Sequence, residues 1–139
     1  MSEGNVCVGT QGQPWITTSG SADAFLLNML SWGRPVETSL VGAFDKSGRG
    51  SRRDIPLPFH RDGDYSKDVS AKHNIDVVGL HFLKPGKAVT LIKYRDKVHS
   101  IRLQKGQGII FDNKAVTHAR EGDVGDRVLL RVWMEIIKD

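Results

Sequence analysis

The chain has a single cysteine, Cys7, in 139 residues. No internal disulfide can form, and a zinc site built on several thiolates is excluded. Long apolar runs are missing as well, with nothing near the roughly 18 residues of a membrane span. The N-terminal MSEGNVCVGT has neither a charged n-region nor an apolar h-region. This predicts no secretory leader, and a cytoplasmic protein. A strong excess of one charge is also lacking: 20 basic residues against 16 acidic ones leave a net +4. The densest basic stretch is KSGRGSRRD, residues 46–54. It has the Gly/Ser content of a solvated loop. No aromatic stacking platform is interleaved with its charges, so nucleic acid is not the expected partner.

What remains is an ordinary globular composition, 39% hydrophobic and 26% charged. The length suits one domain, residues 1–139, around one core. SADAFLLNMLSWGRP, residues 21–35, reads as a short N-terminal helix. Ser21 can cap it, Asp23 sits in its first turn, and Phe25, Leu26, Met29 and Leu30 form an apolar stripe. Gly33 and Pro35 are its stop signals. Beyond it the pattern turns to period two. Residues 75–83, 88–95, 97–104, 109–113 and 127–137 read as strands, with turns at 85–86, near Asp96 and at 105–108. Several short strands at close spacing predict a mainly β protein, an antiparallel sandwich or barrel. No repeat or low-complexity segment interrupts it.

The last of these segments, RVLLRVWMEII, alternates in an informative way. Val128, Leu130, Val132, Met134 and Ile136 make one wholly apolar face. Arg127, Leu129, Arg131, Trp133 and Glu135 make the other. A half-buried strand turns its charges to water, so the strand taken alone favours a solvent face carrying two scattered apolar residues. The competing reading covers both faces and lines a cavity with Arg127 and Arg131.

PLPFHRDGDYS, residues 56–66, places His60 and Asp62 at i and i+2, on one face of an extended strand. Five histidines and 12 aspartates in 139 residues make about 0.4 such pairs expected by chance, so the pair alone is weak. It is either two metal ligands or an accident of a polar loop. FDNKAVTHARE, residues 111–121, supplies a further candidate in His118, and Arg127 and Arg131 follow it. Two histidines and a carboxylate on one side of a metal, with open positions opposite, are the mark of non-haem Fe(II) oxygenases. A 2-oxo acid can chelate at the open positions, and its far carboxylate then wants a guanidinium.

At this point three stretches resemble a known family. PFHRDGDY (58–65), DNKAVTHAR (112–120) and GDRVLLRV (125–132) are similar, in order and spacing, to motifs of the Fe(II)/2-oxoglutarate-dependent dioxygenases of the taurine dioxygenase and clavaminate synthase-like group. The resemblance implies a double-stranded β-helix, a cupin-like jelly roll. It implies that His60, Asp62 and His118 are the catalytic metal triad, and that Arg127, with Thr90, binds 2-oxoglutarate. Arg131 then meets an acidic group of the substrate, and Tyr65 borders the site. The implied cofactors are Fe(II), 2-oxoglutarate and O2. The implied reaction is hydroxylation of a small acidic or amino-acid-like molecule. The chain departs from the group in its short N-terminal region and in the missing long insert between the metal-ligand segments. Substrate identity therefore does not transfer, and a homo-oligomer completing the site is compatible with the sequence. Two alternatives stand beside this: a cupin-like metal protein with no use for 2-oxoglutarate, and a non-catalytic β-sandwich binding module. His81 and His99 read as structural histidines, having no carboxylate at ligand spacing. Arg120 reads as a residue positioning carboxylates around the site or as a solvated one, Asn113 as shaping the turn before His118, and Trp15 as core packing or chance exposure.

Overall fold

The computed structural model describes residues 13–42, 57–63, 72–86, 89–121 and 127–136. Tyr65, Cys7 and the basic stretch 46–54 lie outside them. In chain order the elements are β1 (Trp15–Ser19), α1 (Ala22–Leu30), β2 (Arg34–Gly42), β3 (Leu57–His60), β4 (Val77–Lys84), β5 (Val89–Tyr94), β6 (Lys97–Ile101), β7 (Gln107–Asp112), β8 (Thr117–Glu121) and β9 (Val128–Glu135). All pairings are antiparallel. They form a five-stranded sheet in the order β1-β7-β4-β9-β2 and a four-stranded sheet in the order β3-β8-β5-β6. The result is a mainly β, jelly-roll-like sandwich with one short helix. None of the described helices is long and apolar enough to cross a membrane.

Side-chain alternation decides which residues enter the sandwich. From the five-stranded sheet, Val78, Leu80, Phe82, Ile109, Phe111, Leu129 and Trp133 point inward, where they meet Ile92 and Val116 of the other sheet's side. The opposite face of the same sheet presents Val77, Ile110, Leu130, Val132 and Met134, and α1 covers it with Phe25 and Met29. The helix begins as expected, with the Ser21 hydroxyl accepting from the Ala24 amide at 3.1 Å. Its stripe is narrower than the sequence suggests. Phe25 and Met29 are buried, Leu26 packs at the margin and Leu30 is 53% exposed. Gly79 lets the helix approach, since a Cβ there would stand 2.5 Å from the Met29 sulfur.

Both faces of β9 are therefore covered, against the solvent face that the strand alone favours. Leu129 and Trp133 are each 3% exposed and Arg127 is 6% exposed. The reason is position: β9 lies between β4 and β2, with α1 on one side and the second sheet on the other. Strands β4 to β7 and β9 match the predicted segments within a few residues. The expected helix stop is displaced, because Pro35 sits inside β2, an edge strand where a missing N–H costs no ladder bond. Strands β1, β2 and β8 were not legible as strands. The β5–β6 hairpin closes on Arg95 and Asp96, both at positive φ (50° and 66°), the backbone shape that a two-residue hairpin turn requires.

Candidate metal centre and its cavity

Strands β3 and β8 bring the ligand candidates together. His60 at the end of β3 is the cross-strand partner of His118 in β8, and cross-strand partners share a face. Asp62 follows in the turn after β3. His60 Nε2 lies 3.3 Å from Asp62 Oδ1, and His118 Nε2 lies 3.1 Å from the same oxygen. One donor atom from each residue falls within 4.8 Å of the other two, the arrangement of a set able to hold a metal ion. All three side chains are at most 9% exposed.

Surrounding bonds orient the donors. A carbonyl can only accept, so the 2.8 Å contact between His60 Nδ1 and the Pro58 carbonyl puts a proton on Nδ1. That turns Nε2 to the cluster, where it donates to Asp62 when protonated and offers its lone pair to an ion when not. His118 is held by ring packing, 4.2 Å from the His60 ring and 4.9 Å from Phe111 between centroids. The Trp133 indole Nε1 donates to Asp62 Oδ2 at 2.8 Å, so one carboxylate oxygen is engaged and Oδ1 alone faces the histidines. Asn113 clasps the Asp62 backbone: its Oδ1 accepts from the Asp62 amide at 3.1 Å, and its Nδ2 donates to the Asp62 and Ile75 carbonyls at 2.9 Å. Burial pushes the Asp62 carboxyl up. The His118 charge, the hydrogen bonds from His118 and His60, and the Arg131 cation outweigh it and hold Asp62 well below the usual carboxylate range.

The three residues line a cleft between the sheets together with Thr90, Arg120, Arg127 and Arg131. Apolar walls come from Val41, Leu80 and Leu129. Edge strands β2 and β3 both contribute to it, through Val41 and His60. Arg127, just before β9, lies over the Phe82 ring with 5.7 Å from guanidinium carbon to ring centroid, and its Nε is buried without a hydrogen-bond partner. Burial, then the charge of neighbouring Arg120, pushes the Arg127 guanidinium down to about 10. A buried cation with a second cation beside it is a seat prepared for an anion. Thr90 is 5% exposed and is the cross-strand partner of Arg120. Arg131 lies over the Trp133 ring at 4.7 Å. Among the described residues its carboxylate neighbour is Glu37, at 3.7 Å. Glu135, on the same face of β9, pairs instead with Arg34 at 2.5 Å and accepts from the Asn74 amide at 2.7 Å.

Six of the seven site residues named from sequence thus line one cleft, and Tyr65 is outside the described residues. Arg120, 4% exposed, belongs inside the cleft rather than in solvent. His81 and His99 stay out of the cluster. His81 is buried against Phe25, with ring centroids 4.9 Å apart, and burial lowers its pKa. His99 packs on Trp15 at 4.7 Å. Sequence reasoning missed Trp133 as the partner of Asp62. Its signal was parity: it shares a strand face with Arg127 and Arg131.

No protein-family model matches this chain, and no curated protein matches its sequence. Among solved structures, the chain is similar to the crystal structure of a Pseudomonas putida prolyl-4-hydroxylase. The TM-score is 0.52 at 15% sequence identity, over 92% of this chain and 75% of that one. A likeness at that identity is a likeness of fold, and it does not single out the taurine dioxygenase and clavaminate synthase-like group. The chain shares the fold of a solved prolyl-4-hydroxylase and carries a His-Asp-His cluster in the cleft between its two sheets.

Proposed function

We propose that this chain is an Fe(II)- and 2-oxoglutarate-dependent hydroxylase built on a double-stranded β-helix. The observation that carries the reading is one cleft with two chemically distinct ends. His60, Asp62 and His118 turn two imidazole nitrogens and one carboxylate oxygen toward a common point, and Arg127 and Thr90 stand buried in the same cleft. The donor set suits ferrous iron held on one face with positions left open. Bound Fe(II) would supply the activation of O2, so that a substrate C–H becomes C–OH while 2-oxoglutarate becomes succinate and CO2.

The chain's own residues have separable tasks in this scheme. Trp133 keeps Asp62 turned so that Oδ1 is the oxygen offered to the ion. Asn113 fixes the peptide that carries Asp62. Arg127 takes the far carboxylate of 2-oxoglutarate in a charge-assisted pair, and the Thr90 hydroxyl adds a hydrogen bond. The apolar walls Val41, Leu80 and Leu129 exclude bulk water and strengthen those contacts. Arg131 receives an acidic or amino-acid-like substrate. The fold of the prolyl-4-hydroxylase neighbour supports a hydroxylase.

The test is succinate release by the purified protein with Fe(II), O2 and 2-oxoglutarate, alongside calorimetric titration of 2-oxoglutarate. The expected result is metal-dependent succinate that disappears in His118→Ala. A metal-loaded protein that neither binds 2-oxoglutarate nor forms succinate would overturn the reading in favour of a metal protein with another activity.

A further inference from the structure

Arg131 is set beside groups that the hydroxylase scheme leaves unused. In β2 the pattern of exposure alternates so that Glu37, Ser39 and Val41 turn toward the sandwich, while Thr38 and Leu40 turn outward. Ser39 is the cross-strand partner of Arg131, and Glu37 that of Trp133. The pairing register shifts between Pro35 and Glu37. The shift lies before Glu37, which keeps the register of Ser39 and Val41 and so stands on the Arg131 side by strand alternation.

The polar groups at this place are not saturated by one another. Arg131 Nη2 and Glu37 Oε2 are 3.7 Å apart, too far for a hydrogen bond. Arg131 Nε and Ser39 Oγ are both buried without a hydrogen-bond partner. The Glu37 side chain is 40% exposed and that of Arg131 is 16% exposed, so the pair runs from the rim of edge strand β2 inward. At its inner end Arg131 lines the cleft of the His-Asp-His cluster, close enough for its charge to act on Asp62.

We propose that Glu37, Ser39 and Arg131 form the substrate-recognition site, and that it takes a free α-amino acid. The carboxylate binds the Arg131 guanidinium with the Ser39 hydroxyl, and the ammonium binds Glu37. This rests on the hydroxylase reading and narrows its substrate class. A lone arginine would favour any small acid. An adjacent carboxylate repels a plain acid or a diacid and rewards a ligand whose two opposite charges sit side by side. An α-amino acid carries its two charges on one carbon and matches that spacing.

The experiment uses the protein loaded with Zn(II), which does not turn over, and with 2-oxoglutarate. Calorimetric binding is measured for the proteinogenic L-amino acids, their N-acetyl derivatives (no ammonium) and their amides (no carboxylate). Succinate release with Fe(II) is followed in parallel. At least one free amino acid should bind, with both blocked forms weaker by about tenfold or more, since each leaves a charged group unpaired. Glu37→Gln should weaken the free amino acid by a similar factor and leave its N-acetyl form as tight or tighter. An N-acetyl form that binds wild-type protein as well as the free amino acid would overturn the proposal. So would a Glu37→Gln protein that binds the free amino acid unchanged, which would make Glu37 a counter-ion only. If 2-oxoglutarate binds and no amino acid does, the recognition site is wrong and the hydroxylase reading survives. If 2-oxoglutarate itself does not bind, both fall.

Discussion

The two faces of β9 are built from alternate residues of one strand, and they do opposite things. Leu130, Val132 and Met134 face α1 and are closed over by Phe25 and Met29. Arg127, Leu129, Arg131 and Trp133 face the second sheet, and three of these four carry a polar group into the interior. The helix face is a packing surface, where burial stabilises at roughly 25 cal/mol per Å². On the other face, among the described residues, buried Arg127 and half-buried Arg131 have no carboxylate at hydrogen-bond distance, an arrangement that costs stability until an anion arrives. A strand can be structural and functional at once because its side chains alternate with period two.

The comparison breaks most sharply through a pair of variants. Met134→Ala should cost about 2–5 kcal/mol of stability and leave the dissociation constant for 2-oxoglutarate unchanged, which denaturant unfolding and calorimetry would show together. Arg127→Ala should do the reverse. It should weaken 2-oxoglutarate binding by roughly 2–5 kcal/mol and leave the ligand-free protein as stable or more so. If Arg127→Ala unfolds the protein while its remaining folded fraction binds normally, the cavity face is structural after all.

A subtler separation comes from Trp133→Phe. Phenylalanine keeps an aromatic face for Arg131 and removes the N–H that holds Asp62 Oδ2. Metal affinity should fall about 10–100-fold, the usual loss when an outer partner of a ligand is removed. Titration with Mn(II) or Zn(II) in a metal-free preparation would measure it. An affinity within twofold or so of wild type would reduce Trp133 to packing.

The smallest effect belongs to the end of β9, where Glu135 binds Arg34, the Asn74 amide and His73. The Asn74 amide and Arg34 hydrogen bonds, opposed by burial and helped by His73 and the Arg34 charge, hold its pKa at about 2. A folded-state value below the unfolded one means stability fully present above about pH 4.5 and lost as the pH falls toward 2. Glu135→Gln should flatten that part of the stability–pH curve, by less than about 1 kcal/mol because the ion pair reaches the surface. A curve of unchanged slope between pH 4.5 and 2 would place the acid sensitivity elsewhere.

Much of this was legible before the structure, and the reasons differ by element. Strands β4 to β7 and β9 show in the sequence because their apolar residues alternate over enough positions to register. β8 does not, because its inward residues are His118 and Arg120, which no hydrophobic pattern marks. The same polar residues that hid the strand revealed the site through their spacing from His60 and Arg127. β2 was hidden by Pro35 and by an exposed edge with Leu40 facing out. Trp133 could be assigned to a face, but its partner Asp62 lies 71 residues away, and only the stacking of the two sheets brings them together. Glu37 carried no signal, since a glutamate in an edge strand looks like any solvated one until the pairing of β2 with β9 is seen.

The strand order also governs how the chain reaches this state. His60 and His118 are partners across β3 and β8, and β2 pairs with β9 from the far end of the sequence. Such pairings close long loops, so they form slowly and late compared with the β5–β6 hairpin. His60 and Asp62 are neighbours in any state, but His118 lies far along the chain and joins them only in the native fold. An ion that binds this set favours the native state by mass action and has little hold on the unfolded chain. Unfolding and refolding rates measured with and without Zn(II) would show when the set assembles: slower unfolding alone means that His118 joins after the transition state, and faster folding means that it joins before.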